Sequence, residues 1–296
     1  DIEVLDGVMR SLALDDPRRA RLLRTLADTL DRIPDVAAAG RVIASAMAED
    51  FGDALRHRSV AVGHAHIDTA WLWPLAETRR KCLRTFATVD RLMERCPDFR
   101  FLCSQAQQYR WIREDSPTLF ERIAARVREG RWEPGGAMWI EPDCNAPSGE
   151  SFIRQILHGT GWWESAFGTD AAQRHLYLPD TFGFPASLPQ IVIGSGLDTF
   201  ITNKISWCER NRFPHVSFDW IGIDGTSVLT HLTPGHNYNS SILPEDLRFA
   251  ERNVASLDEV ALPTWLQPYG FGDGGGGPTV EQIERDDEGA VRAVRW

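Results

Sequence analysis

From about residue 58 to residue 202 the chain alternates short β-prone runs with amphipathic helical stripes, and nothing else in it restricts the fold as strongly. Ser59 to Val62 is small and β-branched, which suits a short buried strand. Cys82, Phe86, Val89 and Met93 then fall on one helical face. Phe99 to Cys103 predicts a second strand, and Leu119, Ile123 and Val127 predict a helix that Gly130 ends. Trp132 to Trp139 is interrupted by Pro134-Gly135-Gly136, so it reads as a short strand and a loop. Gly149 to Phe167 predicts a helix with Phe152, Ile156 and Trp163 inward. His175 to Leu178 follows as a strand, Ser187 to Ser195 as a short helix and Thr199 to Thr202 as a strand. Repeated strand–helix units imply a parallel sheet, open or closed into a barrel, with the chemistry at the carboxyl ends of its strands.

The flanks differ. Residues 1 to about 57 read as helical: Leu22, Leu26, Leu30 and Ile33 form one stripe, Ile33-Pro34 ends it, and Val36 to Ala54 is a second helical stretch. After residue 202, Val216 to Ile221 and Ser227 to Leu232 alternate around Asp224-Gly225, a hairpin signal. Glu245 to Asn253 predicts a polar helix, and Tyr269 to Pro278 a glycine-rich loop. That loop lacks the Lys-Ser/Thr of a phosphate-binding loop.

A net charge of −10, with dispersed Lys and Arg, argues against a nucleic-acid groove. Five cysteines, an odd number without a Cys-x-x-Cys pair, point to a reducing compartment. No apolar run approaches a membrane span and no signal peptide opens the chain, so a cytoplasmic location is expected.

At the end of the first strand, ligand-type residues recur at every second position: His64, His66 and Asp68. On an extended chain they share a face. One metal is poorly served by all three, since about 3.3 Å per residue sets His64 and Asp68 roughly 13 Å apart, so an adjacent pair is the natural choice. A lone buried histidine is more often a satisfied core residue than a ligand, and the alternation keeps both readings open. Trp71 and Trp73 follow at once and suit the apolar face of a sugar ring. Asp180 lies just past a strand between Pro179 and Phe182, where a carboxylate is a turn former or a reactive group. Asp273 in the glycine loop reads equally as a turn. Together, a metal-type pair, two isolated carboxylates and nearby tryptophans suit acetal hydrolysis, which needs a nucleophile or base and an acid about the glycosidic bond.

Gly63-His-Ala-His-Ile-Asp-Thr-Ala-Trp71, Pro179-Asp-Thr-Phe-Gly-Phe184 and Gly272-Asp-Gly-Gly-Gly-Gly-Pro-Thr279 resemble the signature stretches of glycoside hydrolase family 38, the class II α-mannosidases. Gly135 to Glu150 resembles a further family stretch, and the match runs in register from about residue 55 to 280. The resemblance implies a helical extension (1–57) before an irregular, seven-stranded β/α barrel of the glycoside hydrolase/deacetylase type (58–296). It also implies that this is the amino-terminal part of a longer enzyme of cytosolic or bacterial type, without the family's later helix-bundle and β domains.

Roles follow from the same resemblance. His66, Asp68 and Asp180 would bind zinc, and His64 would be supporting or structural. Asp180 would also be the nucleophile of a retaining reaction, forming a covalent mannosyl-enzyme, with Asp273 as acid/base. Trp71 would stack under the mannose ring, and Trp73, Trp139 and Tyr238 complete the expected substrate contacts. Lys204 sits where some members carry Arg. The family's fourth zinc ligand is a histidine beyond this region, which His231 and His236 do not match. Co2+ suits the same ligand types as Zn2+. The implied partner is a mannose-containing oligosaccharide or glycan, with neither nucleic acid nor membrane, and a homo-oligomer is compatible with the sequence. The alternatives are a zinc-dependent polysaccharide deacetylase or amide hydrolase, in which a metal-bound water attacks a carbonyl, and a non-catalytic sugar-binding module.

Overall fold

The computed structural model describes residues 2–47, 58–168, 173–255 and 264–286. Three amino-terminal helices come first: α1 (Ile2–Ser11), α2 (Pro17–Asp31) and α3 (Val36–Met47). Asp16 caps α2 by accepting the amide of Arg18, and Pro17 fills the first helical position, where no N–H is needed. The buried edge of α2 is Leu22, Leu26 and Thr29, whereas Leu30 and Ile33 are exposed. The expected stripe is thus corrected in its second half. The small core of Leu5, Leu22, Leu26, Ile43 and Ala46 stops one turn before the helix does. Residues 48–54, read above as more of the α3 helix, lie outside the described residues.

The alternating region then runs β1 (Arg58–His64), α4 (Leu75–Arg95), β2 (Phe101–Cys103), α5 (Ala106–Asp115), α6 (Pro117–Arg128) and β3 (Trp132–Pro134). It continues with α7 (Gly149–Phe167), β4 (His175–Leu178), α8 (Leu188–Gly194), β5 (Thr199–Thr202) and a 3-10 turn at Lys204–Trp207. The last part is β6 (Ser217–Ile221), β7 (Ser227–Leu232), α9 (Pro244–Ala255), β8 (Thr264–Tyr269) and α10 (Val280–Arg285). The α4 stripe is as read: Cys82, Phe86, Val89 and Met93 are all buried, and a large apolar side chain so placed contributes about 1.5–3 kcal/mol. Helices α5 and α10 and strand β8 were not anticipated.

Among the described residues the ladders between these strands are parallel except β6–β7, the antiparallel hairpin. The ladders do not make the expected single seven-stranded ring. They make two four-stranded sheets, in the orders β3-β2-β1-β8 and β4-β5-β7-β6. The outer strands of the first sheet each carry a proline, Pro134 and Pro268, and a residue without an N–H belongs on an edge strand.

Side chains and single bridges cross the two seams. Between β3 and β4, Gln173 Nε2 donates to the Pro134 carbonyl at 2.6 Å. Gly136 takes φ 91°, where a side chain is strained, and a Cβ there would also crowd Ser104 Cβ at 3.0 Å and the Tyr177 carbonyl at 3.2 Å. Between β7 and β8, the Leu266 amide donates to His231 Nε2 at 3.2 Å, and Ser240 forms an isolated parallel bridge with Tyr269. The larger core lies under the first sheet, around Phe86, Tyr109, Trp132 and Trp163; the second sheet has its own, around Leu176, Leu188, Val192 and Phe200. Among the described residues no helix is long and apolar enough to cross a membrane.

Candidate active site

The carboxyl ends of β1, β4 and β8 deliver the polar cluster. His64 closes β1 and is buried, its Nδ1 3.1 Å from the Tyr238 carbonyl. Burial pushes its pKa down to about 3, so it stays neutral. The chain leaves the strand after His64, so the three alternating residues do not share one strand face. His66 and Asp68 stand in the segment beyond, which α5 holds from behind: Gln105 and Gln108 donate their side-chain amides to the Ile67 carbonyl at 2.9 and 2.7 Å.

His66 is the hub. Its Nε2 lies 3.4 Å from Asp68 Oδ1 and 3.4 Å from Asp180 Oδ2, and its Nδ1 lies 3.4 Å from Glu141 Oε2. Burial opposes a charge on this ring, but contacts with Asp180, Asp68 and Glu141 outweigh it and carry the pKa up to about 10. Asp180, just past β4, receives Lys204 Nζ on Oδ1 at 2.8 Å. Its backbone amide donates to Glu141 Oε1 at 2.6 Å. Burial would raise the Asp180 carboxyl, yet hydrogen bonds from His66 and Lys204 hold it down at about 2. Glu141, with the burial cost foremost, is pushed upward.

Asp273 enters from the loop after β8. Its backbone takes φ 51°, the left-handed region, a strain of order 1–3 kcal/mol that surrounding contacts must hold. They are present: the next amide, of Gly274, donates to the His66 carbonyl at 3.0 Å, and Arg84 donates to the Gly274 carbonyl at 2.6 Å. One hydroxyl joins the two expected catalytic carboxylates. Tyr238 OH lies 2.9 Å from Asp180 Oδ1 and 2.8 Å from Asp273 Oδ1. Burial and these two acids push the tyrosine pKa far up, so it remains a phenol.

The donor set fits a divalent cation. His66, Asp180 and Asp273 each offer a ligand atom, and these all lie within 4.8 Å of one another. Asp68 reaches the group through His66, and its Oδ2 is buried with no hydrogen-bond partner. An orphaned buried carboxylate oxygen beside an imidazole is what a bound cation would satisfy, and N/O donors of this kind suit zinc or cobalt.

The expected aromatic residues divide. Trp71 is 59% exposed and offers a free face. Trp73 is engaged locally: its Nε1 donates to Thr78 Oγ1 at 3.0 Å, and Lys81 Nζ lies 4.3 Å from its ring centroid. Trp139 packs against the central core. Tyr238 stands between the carboxylates rather than at the rim. His231 belongs to a seam and His236 contacts Phe249, and neither joins the polar cluster. Two contacts were not foreseen. Lys204, flagged only by position, sits on Asp180 and against the Trp207 ring, 3.3 Å from its centroid. Glu141 lies within the Gly135–Glu150 stretch but had no assigned role; an acid in a run of apolar and turn residues was its only signal.

The glycosyl hydrolases family 38 N-terminal domain matches residues 56–293. Alpha-mannosidase G of Dictyostelium discoideum is 47% identical over 225 residues, 76% of this chain and 20% of that protein. Alpha-mannosidase 2C1 of Homo sapiens is 40% identical over 289 residues, 96% of this chain and 27% of that protein. The chain thus spans about a fifth to a quarter of the length of these relatives. Among solved structures, an alpha-mannosidase from Enterococcus faecalis aligns with TM-score 0.61 at 21% identity, covering 78% of this chain and 27% of that one. A match over most of the chain leaves one assignment: it belongs to glycosyl hydrolase family 38 and carries that family's N-terminal domain.

Proposed function

We propose that this chain carries the catalytic centre of a retaining, metal-dependent α-mannosidase that removes terminal α-linked mannose from glycans or oligosaccharides. Residues 1–57 are read as its helical extension and 58–296 as its catalytic domain. On this reading the two sheets are halves of an irregular barrel of seven parallel strands, with β6 added by the hairpin. A cytoplasmic location accords with five free cysteines. The observation that carries the mechanism is the pair of contacts from Tyr238 OH to Asp180 and Asp273, at 2.9 and 2.8 Å. An oxygen of each acid lies within 4.8 Å of the other. Retaining glycosidases need their carboxyl groups about 5–5.5 Å apart, whereas inverting ones need roughly 6.5–9.5 Å to admit a water.

Asp180, held ionised by Lys204, attacks the anomeric carbon. The glycosidic C–O bond breaks as the leaving oxygen takes a proton from Asp273. Asp273 then removes a proton from water, which attacks the anomeric carbon and frees Asp180. Lys204 and Tyr238 both meet Oδ1 of Asp180 and so fix the carboxylate's rotation. Trp71 supplies the exposed face against which the mannose ring stacks. A zinc or cobalt ion held by His66, Asp68 and Asp180 would supply a positive centre for the sugar hydroxyls.

Trapping with a 2-fluoro-mannosyl fluoride tests the reading in the full-length protein. The label is expected on the peptide containing Asp180. A label on another carboxylate, no label at all, or product of inverted anomeric configuration overturns it. A metal-bound water acting on an amide leaves no label, and neither does a sugar-binding module.

A further inference from the structure

We propose that Glu141 is a positioning residue that decides which ring nitrogen of His66 faces the metal, and that couples this ring to Asp180. This rests on the metal reading above, which gives Glu141 no part. Glu141 stands in the loop between β3 and α7 with its two oxygens pointing to different partners. Oε1 accepts the Asp180 amide at 2.6 Å and the Thr181 hydroxyl at 3.0 Å. Oε2 lies 3.4 Å from His66 Nδ1.

Both Oε2 and Nδ1 are buried without a hydrogen-bond partner among the described residues. Their separation is long for a hydrogen bond. They are nonetheless an acceptor and a donor facing each other, and buried polar groups are almost always satisfied. The other ring nitrogen, Nε2, faces Asp68 and Asp180. The ring is thus sorted, with Nδ1 toward Glu141 and Nε2 toward the ligand carboxylates. A histidine binds a metal through the nitrogen that has no proton. Donating its other N–H to a carboxylate fixes that tautomer and makes the ligand more basic.

The loop is built to hold Glu141 there. Its backbone amide donates to Gln105 Oε1 at 3.3 Å, and the same oxygen accepts Thr69 Oγ1 at 2.9 Å. Gln105 Nε2 in turn holds the Ile67 carbonyl at 2.9 Å. One side chain therefore pins both the Glu141 backbone and the segment that carries His66. Further along the loop, Asn145 donates to the Phe182 carbonyl at 3.0 Å and pins the segment beyond Asp180. A plain strut to the Asp180 loop would need only Oε1, and an apolar group could stand where Oε2 does.

Glu141→Gln separates the two functions of the side chain. The Asp180 amide can only donate, so the glutamine oxygen must stay with it, and the NH2 group turns to His66. Nδ1 must then accept, which puts the ring proton on Nε2, against the ligand carboxylates. Zinc affinity of the full-length protein is measured by competition with a chromophoric chelator, with His66→Ala run alongside. Glu141→Gln is expected to bind zinc about 10–100-fold more weakly than the parent, while the circular dichroism of its metal-free form matches the metal-free parent and shows the same fold. Zinc lost by His66→Ala but held at parental affinity by Glu141→Gln overturns the role of Glu141 and leaves the metal reading standing. Zinc held at parental affinity by both overturns the two together. Should Glu141→Gln fail to fold, a crystal structure of the zinc-loaded parent decides. His66 Nε2 on the metal with Nδ1 hydrogen-bonded to Glu141 supports the assignment; a reversed ring, or Glu141 turned away, overturns it.

Discussion

The first sheet stands on an aromatic core, the second on a mostly aliphatic one, and the polar residues each presents are held accordingly. Under the first, Trp132 donates to Tyr109 OH at 2.8 Å and Tyr109 donates to the Cys103 carbonyl at 2.8 Å, so large rings are also hydrogen-bonded in place. The loops above it are pinned from their own side, by Gln105, Gln108 and Arg84. Under the second, Leu176, Leu178, Leu188 and Val192 pack with no such network. Its Asp180 is held by Lys204 from its own sheet, but also by Glu141 and His66 from across a seam. The second sheet thus presents a carboxylate whose position depends on the first. A cluster assembled this way is complete only when both sheets are docked.

The largest test of that asymmetry removes the shared group. If Asp180 is the nucleophile as proposed, Asp180→Ala is expected to lower turnover by at least about 10⁴-fold on every mannoside, good leaving group or poor, because the attacking group itself is gone. Substantial turnover of an activated aryl mannoside by this variant would break the assignment. Asp273→Asn, on the first sheet's side, should be selective instead. Hydrolysis of substrates with poor leaving groups slows about 10²–10⁴-fold, the usual worth of general acid help, while activated aryl mannosides lose far less in their first step. Equal slowing on both substrates removes Asp273 from the role.

The cores themselves can be compared by denaturant unfolding. Trp132→Ala should cost about 3–5 kcal/mol, from the lost packing around a fully buried ring and from the Tyr109 hydroxyl left short of a donor. Leu188→Ala, which removes only apolar contacts in the second core, should fall toward the low end of about 2–5 kcal/mol. If Leu188→Ala costs more, the second sheet does not lean on the first as described.

What the sequence made legible was local. The α4 stripe, the β4 and β5 runs and the hairpin around Asp224-Gly225 agree with the structure because one face or one turn type specifies each. The apolar pattern does not mark helix α5 because its fully buried apolar residues are just Ala106, Tyr109 and Ile112, while Gln108 within it, like Gln105 just before it, holds the segment that carries His66. Strand β8 was missed because Gln267 and Pro268 interrupt its pattern. The division into two sheets is a matter of which edges pair, and no stripe or turn records that. In the candidate site, His66, Asp180 and Asp273 stand out in the sequence by residue type, and the structure brings them within 4.8 Å of one another. Glu141 and Lys204 do not stand out, because their importance lies in contacts with distant segments, such as the bond from Glu141 to an amide 39 residues away.

The smallest test concerns the seam between the sheets, through a histidine outside the polar cluster. His231 on β7 accepts the Leu266 amide of β8 on Nε2 at 3.2 Å. Nδ1 must therefore carry the proton, and it lies 2.8 Å from Ser217 Oγ. Burial pushes the pKa of this ring down to about 4. An unfolded histidine titrates near 6.5, so between the two values the unfolded chain takes up a proton that the folded chain does not. Stability then falls as pH drops through that window, by about 2 kcal/mol near pH 5, and this group has no such effect well above pH 7. Protonation would also replace the acceptor that Leu266 uses with a donor, which weakens the joint between the sheets. His231→Asn retains a polar side chain without the titration. Its unfolding free energy should change less between about pH 7.5 and pH 5 than the parent's does, although it is the less stable protein at the upper value. Parallel pH profiles for parent and variant would mean that the histidine at the seam is not held neutral.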